Sequence, residues 1–241
     1  MSGLTVKALY KGYQLPGRRV EVLRGLELTL PADGITVILG KSGCGKTTLL
    51  RLLAGLEAPD GGEISLGGRG VGMVFQEPRL MPWLSVKDNI LFGLAKGQRA
   101  AYPIDALLEL VGLTGFAAAY PHQLSGGMQS RAAIARVIAC DPDIILMDEP
   151  FAALDNFNRE AMQRELIRIQ QQSHKSVIFV THNIDEALVL GSRIVLMNDG
   201  VVSRQLALAQ CSYPRDLLAP EIIDCKKEIV DFFNTPLSTI K

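Results

Sequence analysis

The stretch "ILGKSGCGKTTLLRLLAG", residues 38–55, places a glycine-rich loop between a short apolar run and a segment with apolar residues at helical spacing. Residues 40–47 fit the pattern G-x-x-x-x-G-K-[ST], and the order strand, loop, helix is the context in which this pattern binds phosphate. Glycines let backbone N–H groups converge on phosphate oxygens, and the helix N-terminus adds partial positive charge. We therefore predict a nucleotide phosphate site in this loop.

Two side chains of the loop have predicted chemical roles. Lys46 is expected to reach the β- and γ-phosphates, and the Thr47 hydroxyl is expected to ligate Mg²⁺. A glycine-rich turn with a chance lysine is the alternative, and the strand-loop-helix context argues against it. The nucleotide-binding residues predicted here are Gly40, Lys41, Ser42, Gly43, Cys44, Gly45, Lys46, Thr47 and Thr48.

A second motif, "IILMDEP" at residues 144–150, puts two carboxylates at the end of a buried strand. We expect Asp148 to hold Mg²⁺ through water and Glu149 to polarise the attacking water as general base. The pair could instead cap the next helix, since Pro150 marks a turn. That alternative does not account for its occurrence together with the glycine-rich loop.

The order of elements predicts an α/β fold. Residues 4–40 contain three strand-like segments, of which "GITVILG" is apolar throughout, as is typical of a strand buried on both faces. Residues 85–123 contain helix-like segments and nothing strand-like, so we expect an inserted helical subdomain there. From residue 130 to "RIVLMNDGVV", helices and strands alternate as in a parallel sheet.

Composition excludes several classes of protein. Lys plus Arg and Asp plus Glu number 25 each, so no overall charge favours nucleic acid, and we expect no nucleic-acid partner. The four cysteines (Cys44, Cys140, Cys211 and Cys225) lack metal-ligand spacing, and we interpret them as reduced thiols. The N-terminus lacks the pattern of a signal peptide, and no apolar run approaches a membrane span of about 18 residues, so the chain is not expected to cross a bilayer.

The segment "LSGGMQSR", residues 124–131, lies between the two motifs and makes the resemblance specific. With them it resembles the ATP-binding subunit of ABC transporters. The resemblance implies a P-loop core with a parallel sheet, an N-terminal antiparallel β part and the helical insert at 85–123, within a single ATPase domain over residues 1–241. It also implies that Ser125, Gly126 and Gly127 meet the γ-phosphate of ATP held by the opposite subunit.

Further residues match the family in order along the chain. Gln76 resembles the glutamine that contacts Mg²⁺ and water, Asp155 the aspartate at the dimer interface, and His182 the switch histidine that reaches the γ-phosphate. Tyr13 is the candidate for the aromatic residue that stacks on adenine, with Tyr10 as its rival. The resemblance thus implies catalytic roles for Glu149, His182, Gln76 and Lys46, and Mg²⁺ ligation by Thr47, Gln76 and Asp148.

The signature departs from the family's usual form. After "LSGG" the family has Gln or Met, then Arg or Lys, then Gln-Arg, whereas this chain has Met128, Gln129, Ser130 and Arg131. Loss of the basic residue at 129 and of the glutamine at 130 is expected to loosen the signature helix or its hold on the partner's nucleotide. ATPase activity is still expected, and the sequence leaves open whether its rate is lowered.

The segment "QEPRLMPWLSVKDNILFGL", residues 76–94, resembles bacterial importers of nitrate, sulfonates, taurine and similar solutes. The resemblance implies a homodimer, or a pair with a related subunit, at the cytoplasmic face of the membrane. It also implies permease subunits contacting the segment from Gln76 to Trp83, and a periplasmic or extracellular solute-binding protein. Pro82 and Trp83 could instead fill the subdomain core.

Three other functions compete with import. A soluble ABC ATPase of DNA repair or translation would usually have two cassettes or a long coiled-coil insertion. A P-loop kinase or GTPase has no use for "LSGG". A degraded, non-catalytic subunit would explain the altered signature. We predict an ATP-binding and ATP-hydrolysing transporter subunit, and the sequence does not name its solute.

Overall fold

The structure is a computed structural model that describes residues 3–208 and 213–235 of the chain. Its strands are β1 (Leu4–Leu15), β2 (Arg18–Leu30), β3 (Gly34–Leu39), β4 (Gly61–Ser65), β5 (Val71–Val74), β6 (Ile144–Asp148), β7 (Ser176–Thr181), β8 (Arg193–Asn198) and β9 (Val201–Ala207). Its helices are α1 (Lys46–Leu53), α2 (Val86–Leu91), α3 (Lys96–Arg99), α4 (Ile104–Leu110), α5 (Gly126–Ala139), α6 (Asn156–Ser173), α7 (Ile184–Leu190) and α8 (Pro220–Asn234), with a 3₁₀ turn at Pro121–Gln123. Cys44 and Cys140 are free thiols, and Cys211 lies outside the described residues.

The strands form two sheets. A three-stranded antiparallel sheet has the order β2-β1-β4, and a six-stranded sheet has the order β5-β6-β7-β3-β8-β9. Strands β5, β6, β7, β3 and β8 pair in parallel, and β9 pairs with β8 antiparallel. The predicted α/β class, with a parallel sheet and an N-terminal antiparallel part, is confirmed.

Strand β3 lies at the centre of the molecule, where its side chains alternate between two hydrophobic clusters. Ile35, Val37 and Leu39 pack into the cluster that includes residues of α5, α6 and α7. Ile38 faces the opposite cluster, which includes α1 and strands of the antiparallel sheet. Because both faces are covered, an uninterrupted apolar run is what this strand requires.

The segment "RIVLMNDGVV" follows the predicted parallel alternation only in its first half: β8 pairs in parallel with β3, whereas β9 turns back on β8 as a hairpin. Only Asp199 and Gly200 separate the two strands, with φ values of 46° and 79°. A two-residue turn with both φ values positive reverses the chain, whereas a parallel connection needs a dozen or more residues. The Asp-Gly pair therefore makes β9 an antiparallel edge strand.

The elements within residues 85–123 are helices α2, α3 and α4 and the 3₁₀ turn. Their apolar residues share a cluster with Ala132, Ala135 and Ala139 of α5. Helix α2 begins at Val86 because the Ser85 side chain accepts a hydrogen bond from the Asp88 backbone N–H. Within the described ranges, no helix combines the length and apolar character needed to span a bilayer.

Candidate functional site

The glycine-rich loop joins the end of β3 to the start of α1, as predicted. Gly45 has φ 101°, a left-handed conformation that favours glycine, and it precedes the first helical residue, Lys46. A Cβ atom on Gly40 would lie 2.4 Å from the carbonyl oxygen of Met197 on β8, so only glycine fits there. The loop is thus held against the sheet with α1 pointing its N-terminus at the loop.

The Lys46 side chain is buried within the loop. Its Nζ atom donates hydrogen bonds to the carbonyl oxygens of Gly40, at 2.7 Å, and Lys41, at 3.0 Å. Neutral carbonyl groups position the ammonium without neutralising its charge, which is left to attract an anion. Cys44 is buried beside it, and burial raises the pKa of its thiol, as suits a residue that only fills the loop.

Thr47 and Asp148 bring the two sequence motifs together. The Thr47 hydroxyl donates to the Asp148 carboxylate, with Oγ1 3.2 Å from Oδ1. Burial raises the pKa of the Asp148 carboxyl, and the hydrogen bond from Thr47 partly opposes that shift. The Asp148 carboxylate lies behind Thr47 and does not itself line the cavity that Thr47 shares with the Gln76 amide. Together the carboxylate, the hydroxyl and the amide oxygen are the hard ligands that Mg²⁺ prefers.

Glu149 and His182 face each other at the ends of adjacent strands. The His182 Nδ1 atom lies 3.0 Å from Glu149 Oε1. Glu149 has φ 44°, an unfavourable conformation for a residue with a Cβ, and its N–H donates to the Val180 carbonyl at 3.0 Å. The hydrogen bond to β7 therefore holds the backbone of Glu149 in a strained conformation. Such strain is typical of functional sites.

A cavity of about 460 Å³ connects these residues. It is lined by Val22, Ser42, Gly43, Gly45, Lys46, Thr47, Thr48, Gln76, Glu149 and His182. Two larger cavities, of about 590 and 550 Å³, contain none of the predicted site residues. Size therefore does not identify the site, whereas the convergence of a buried lysine, a hydroxyl, an amide and a carboxylate does.

Tyr13 lies beside this cavity without lining it. Its hydroxyl donates to Glu57 Oε2 at 2.6 Å and also interacts with the side chain of Thr48, which does line the cavity. Tyr10 is 49% exposed and lines a separate groove with Arg19 and other residues. The position of Tyr13 is compatible with stacking on a base, and its stacking role stays a prediction.

The signature residues do not line the nucleotide cavity. Ser125 precedes α5 and its side chain accepts from the Met128 N–H at 3.3 Å, while Gly126 and Gly127 form the first turn rather than preceding the helix. Cβ atoms built on the two glycines would contact Ala153 and Leu154. None of these residues is among those that line the cavity.

Asp155 follows Leu154 and begins the next helix. Its side chain accepts from the Asn158 N–H at 3.1 Å, and hydrogen bonds from the Asn158 side chain and backbone lower the pKa of the Asp155 carboxyl. It therefore acts as the N-terminal cap of α6 in one chain. Its predicted place at a dimer interface stays a prediction.

The unusual signature residues all have hydrogen-bond partners. Gln129 donates to the Pro121 carbonyl at 2.9 Å, and the Ser130 hydroxyl to the Gly126 carbonyl at 3.1 Å. Arg131 donates to the carbonyls of Val111 and Gly112. These contacts tie α5 to its own first turn and to neighbouring loops. They show no sign of the predicted loosening of the signature helix.

The segment following Gln76 is exposed at its far end. Trp83 is 70% exposed, so it does not fill the subdomain core. Arg136 of α5 donates to the carbonyls of Pro78, at 3.0 Å, and Arg79, at 2.9 Å. One helix therefore carries the signature at its start and holds this segment near its end.

Two residues at or beside the cavity are not predicted from the sequence. Val22, on β2, lines the cavity, and Glu57 binds the Tyr13 hydroxyl. Both come from outside the recognised motifs. An aliphatic residue in a strand and a glutamate in the loop after α1 carry no motif that would have marked them.

Comparisons with known proteins agree with this arrangement. A family model described as ABC transporter matches residues 23–152. The chain is 43% identical to an uncharacterized ABC transporter ATP-binding protein of Methanocaldococcus jannaschii, over 95% of this chain and 90% of that one. It is 44% identical to a taurine import ATP-binding protein of Ruegeria pomeroyi, over 82% of this chain and 78% of that one.

Two further similarities extend the comparison. An aliphatic sulfonates import ATP-binding protein of Bacillus subtilis is 36% identical over 95% of this chain and 94% of its own. The solved dimeric structure of an ATP-binding cassette in a post-hydrolysis state, bound to ADP and Pi, superposes with a TM-score of 0.77 at 30% identity. That superposition covers 85% of this chain and 98% of the other.

Proposed function

The chain belongs to the ABC transporter family, as an ATP-binding and ATP-hydrolysing subunit, and from that premise we propose that it energises import of a small sulfonate such as taurine. The observation that carries the catalytic part is the single cavity where Lys46, Thr47, Glu149 and His182 converge. The solute is inferred from the names of relatives. Their transporter function also favours this reading over a soluble ABC ATPase of DNA repair or translation.

The loop is proposed to bind the triphosphate of ATP. Lys46 would bind the β- and γ-phosphates, since the groups that hold its ammonium, two backbone carbonyls and the Cys44 thiol, are neutral. Thr47, Gln76 and, through water, Asp148 would hold Mg²⁺, which neutralises phosphate charge when bound. Tyr13 would stack on adenine.

Hydrolysis is proposed to depend on Glu149 and His182. Glu149 would accept a proton from the attacking water as it adds to the γ-phosphorus, and His182 would contact the γ-phosphate oxygens. Their 3.0 Å separation lets the histidine hold the carboxylate in place before the water is bound. Pre-orientation of the base lowers the barrier because no rearrangement is needed during the reaction.

A second copy, or a related subunit, is proposed to complete each site. Ser125, Gly126 and Gly127 do not line the cavity of their own chain, so they are free to meet nucleotide held by another. Two chains would close head to tail around two ATP molecules, with Asp155 near the shared interface. A closed twofold arrangement gives two equivalent sites.

Closure is proposed to act on permease subunits through the segment from Gln76 to Trp83. Arg136 ties this segment to α5, so the partner's nucleotide and the permease would act on one rigid helix. The chain would form one ATPase domain over residues 1–241, with a helical subdomain at 85–123. It would lie at the cytoplasmic face of the membrane, in a complex with a solute-binding protein.

Reconstitution in vesicles tests this function. The subunit would be combined with a permease and a solute-binding protein that co-purify with it, and uptake of labelled taurine would be measured with ATP on the side of this subunit. We expect uptake that requires ATP and is lost in the Glu149→Gln variant. Full ATPase activity without uptake of taurine or any alkanesulfonate would contradict the proposed solute class.

A further inference from the structure

Phe157 is an aromatic side chain left almost wholly in solvent. It is the second residue of α6, two positions after Asp155, and is 88% exposed. A single exposed hydrophobic residue is ordinary on a protein surface and by itself indicates no partner. Its significance depends on what lies opposite when the proposed dimer closes.

A small apolar cavity adjoins the nucleotide cavity. It measures about 290 Å³ and has Leu39, Ile184 and Phe233 among its lining residues. This volume is at the lower limit for small-molecule sites and suits one inserted side chain better. Lys41 of the phosphate loop donates to the Phe233 carbonyl at 2.8 Å, which fixes the end of α8 as one wall.

The two features lie close to the same phosphate position, on opposite sides of the proposed interface. The small cavity shares Ser42 and His182 with the nucleotide cavity. The signature glycines approach Ala153, and Phe157 is four residues further along, within about 14 Å of Ala153 even if the chain were fully extended. When signature residues reach a phosphate across the interface, Phe157 is therefore near enough to reach the other chain's small cavity.

We infer that Phe157 of one copy inserts into the apolar cavity formed by Leu39, Ile184 and Phe233 of a second copy. This inference rests on the proposed head-to-tail dimer, and twofold symmetry gives two such contacts. Each ring would cover the side of the cavity next to His182 and exclude water from it. Dimer closure and the position of the switch histidine would thereby be coupled by an apolar contact.

Cysteine cross-linking tests this contact directly. All chains carry Glu149→Gln, which is expected to retain ATP without hydrolysing it, and have their native cysteines replaced. One chain carries Phe157→Cys and is mixed with another that carries Ile184→Cys, or Phe233→Cys in case the first does not fold. We expect a disulfide-linked dimer that forms under mild oxidation only with ATP.

The matched control pairs Phe157→Cys with Trp83→Cys, another exposed position, and should give no cross-link. A second measurement compares the dimer dissociation constant by analytical ultracentrifugation with ATP. Phe157→Ala should weaken the Glu149→Gln dimer by at least about tenfold, since burial of an aromatic ring is lost. Phe116→Ala, at a phenylalanine that is 41% exposed, should leave the constant unchanged.

The outcomes separate the two proposals. If Glu149→Gln dimerises with ATP but shows neither the cross-link nor the effect of Phe157→Ala, the inference is overturned and the dimer stands. If the Glu149→Gln parent does not dimerise with ATP, the proposed head-to-tail dimer is itself overturned, together with the inference.

Discussion

The Nδ1 atom of His182 lies 3.0 Å from the Oε1 atom of Glu149, at the carboxyl ends of the neighbouring parallel strands β7 and β6. The side chain of His182 is 63% exposed and that of Glu149 only 19% exposed. The histidine is therefore the more solvent-exposed member of the pair, while Glu149 is the more buried one and has the strained backbone. This relationship places the proposed general base beside the proposed switch histidine.

Glu149→Gln is expected to lower the ATP hydrolysis rate by about 10²-fold or more, because glutamine cannot accept the proton of the attacking water. ATP binding should persist, since Lys46 and Thr47 are unchanged. Phosphate release and nucleotide affinity would be measured separately. Glu160→Gln, at a glutamate whose side chain is 65% exposed, is the matched control and should hydrolyse ATP normally. Normal turnover by Glu149→Gln would exclude the general-base role.

Asp148→Asn is expected to stabilise the nucleotide-free protein at neutral pH while hydrolysis falls at least about tenfold. Burial raises the pKa of this carboxyl in the folded state above its ordinary value of 3.8. The unfolded chain thus loses its proton first, and stability falls as the pH rises from 3.8 through the raised pKa. Asparagine removes this dependence and retains an acceptor for the Thr47 hydroxyl.

Thermal unfolding without nucleotide, measured between pH 4 and pH 8, checks this expectation. The curves of the two proteins should diverge with rising pH, the variant remaining the more stable. Addition of Mg²⁺ with ATP should reverse the order, because only the aspartate offers a charged ligand. A variant that is less stable at every pH would show that burial does not strain this carboxylate.

Local motifs made much of the site predictable. The phosphate loop and the Asp-Glu pair each consist of one strand and the residues directly after it. Neighbouring residues in the sequence therefore determine both the conformation and the chemistry of each motif. The family, the α/β class and the ATPase function inferred from them are confirmed. The individual roles assigned to site residues stay predictions.

Contacts between distant residues could not be predicted in this way. Tyr13 and Glu57 are separated by 44 positions, and Lys41 and Phe233 by 192, with no periodicity linking them. The direction of β9 was missed for another reason. The alternation of helices and strands before residue 199 favours another parallel strand, whereas the Asp199-Gly200 pair favours a tight hairpin turn. The local turn preference determines the direction of β9.

Ser125→Ala is expected to combine a stability loss with a functional loss. The serine caps α5, and removing such a cap costs about 1 kcal/mol. Ser85→Ala is a matched control, because Ser85 caps α2 through the same hydrogen bond to the residue three positions on. Both variants should lose similar stability in denaturant unfolding. Only Ser125→Ala should also weaken ATP-dependent dimerisation, and equal effects of the two would remove the phosphate role of Ser125.

Tyr13→Ala is expected to weaken ATP binding by about five- to 150-fold, the usual effect of losing one stacked base. Tyr10→Ala should change the affinity little, since Tyr10 lines a groove apart from the nucleotide cavity. Fluorescent ATP titration measures both. A larger loss at Tyr10 would transfer the stacking role to that residue.

Glu57→Gln extends the same test to the residue that holds the Tyr13 hydroxyl. Arg51 Nη1 also lies 3.4 Å from Glu57 Oε1, so the glutamate joins the tyrosine to α1. We expect a loss of ATP affinity smaller than that of Tyr13→Ala, with the maximal hydrolysis rate retained. In the Tyr13→Phe background, which lacks the hydroxyl, Glu57→Gln should have no further effect. An undiminished effect there would mean that Glu57 acts independently of Tyr13.

Arg136→Ala is expected to separate hydrolysis from transport. The guanidinium binds the Pro78 and Arg79 carbonyls, and its loss frees the segment that ends at the exposed Trp83. The isolated subunit should hydrolyse ATP within about threefold of the parent, because Arg136 does not line the nucleotide cavity. ATP-driven uptake in the reconstituted complex should fall about tenfold. Arg99→Ala, which removes an arginine bound to the Phe92 and Leu94 carbonyls within the helical region, should leave uptake intact. Equal impairment of uptake by both variants would contradict this role of Arg136. It would indicate that transport depends on the rigidity of the whole helical region.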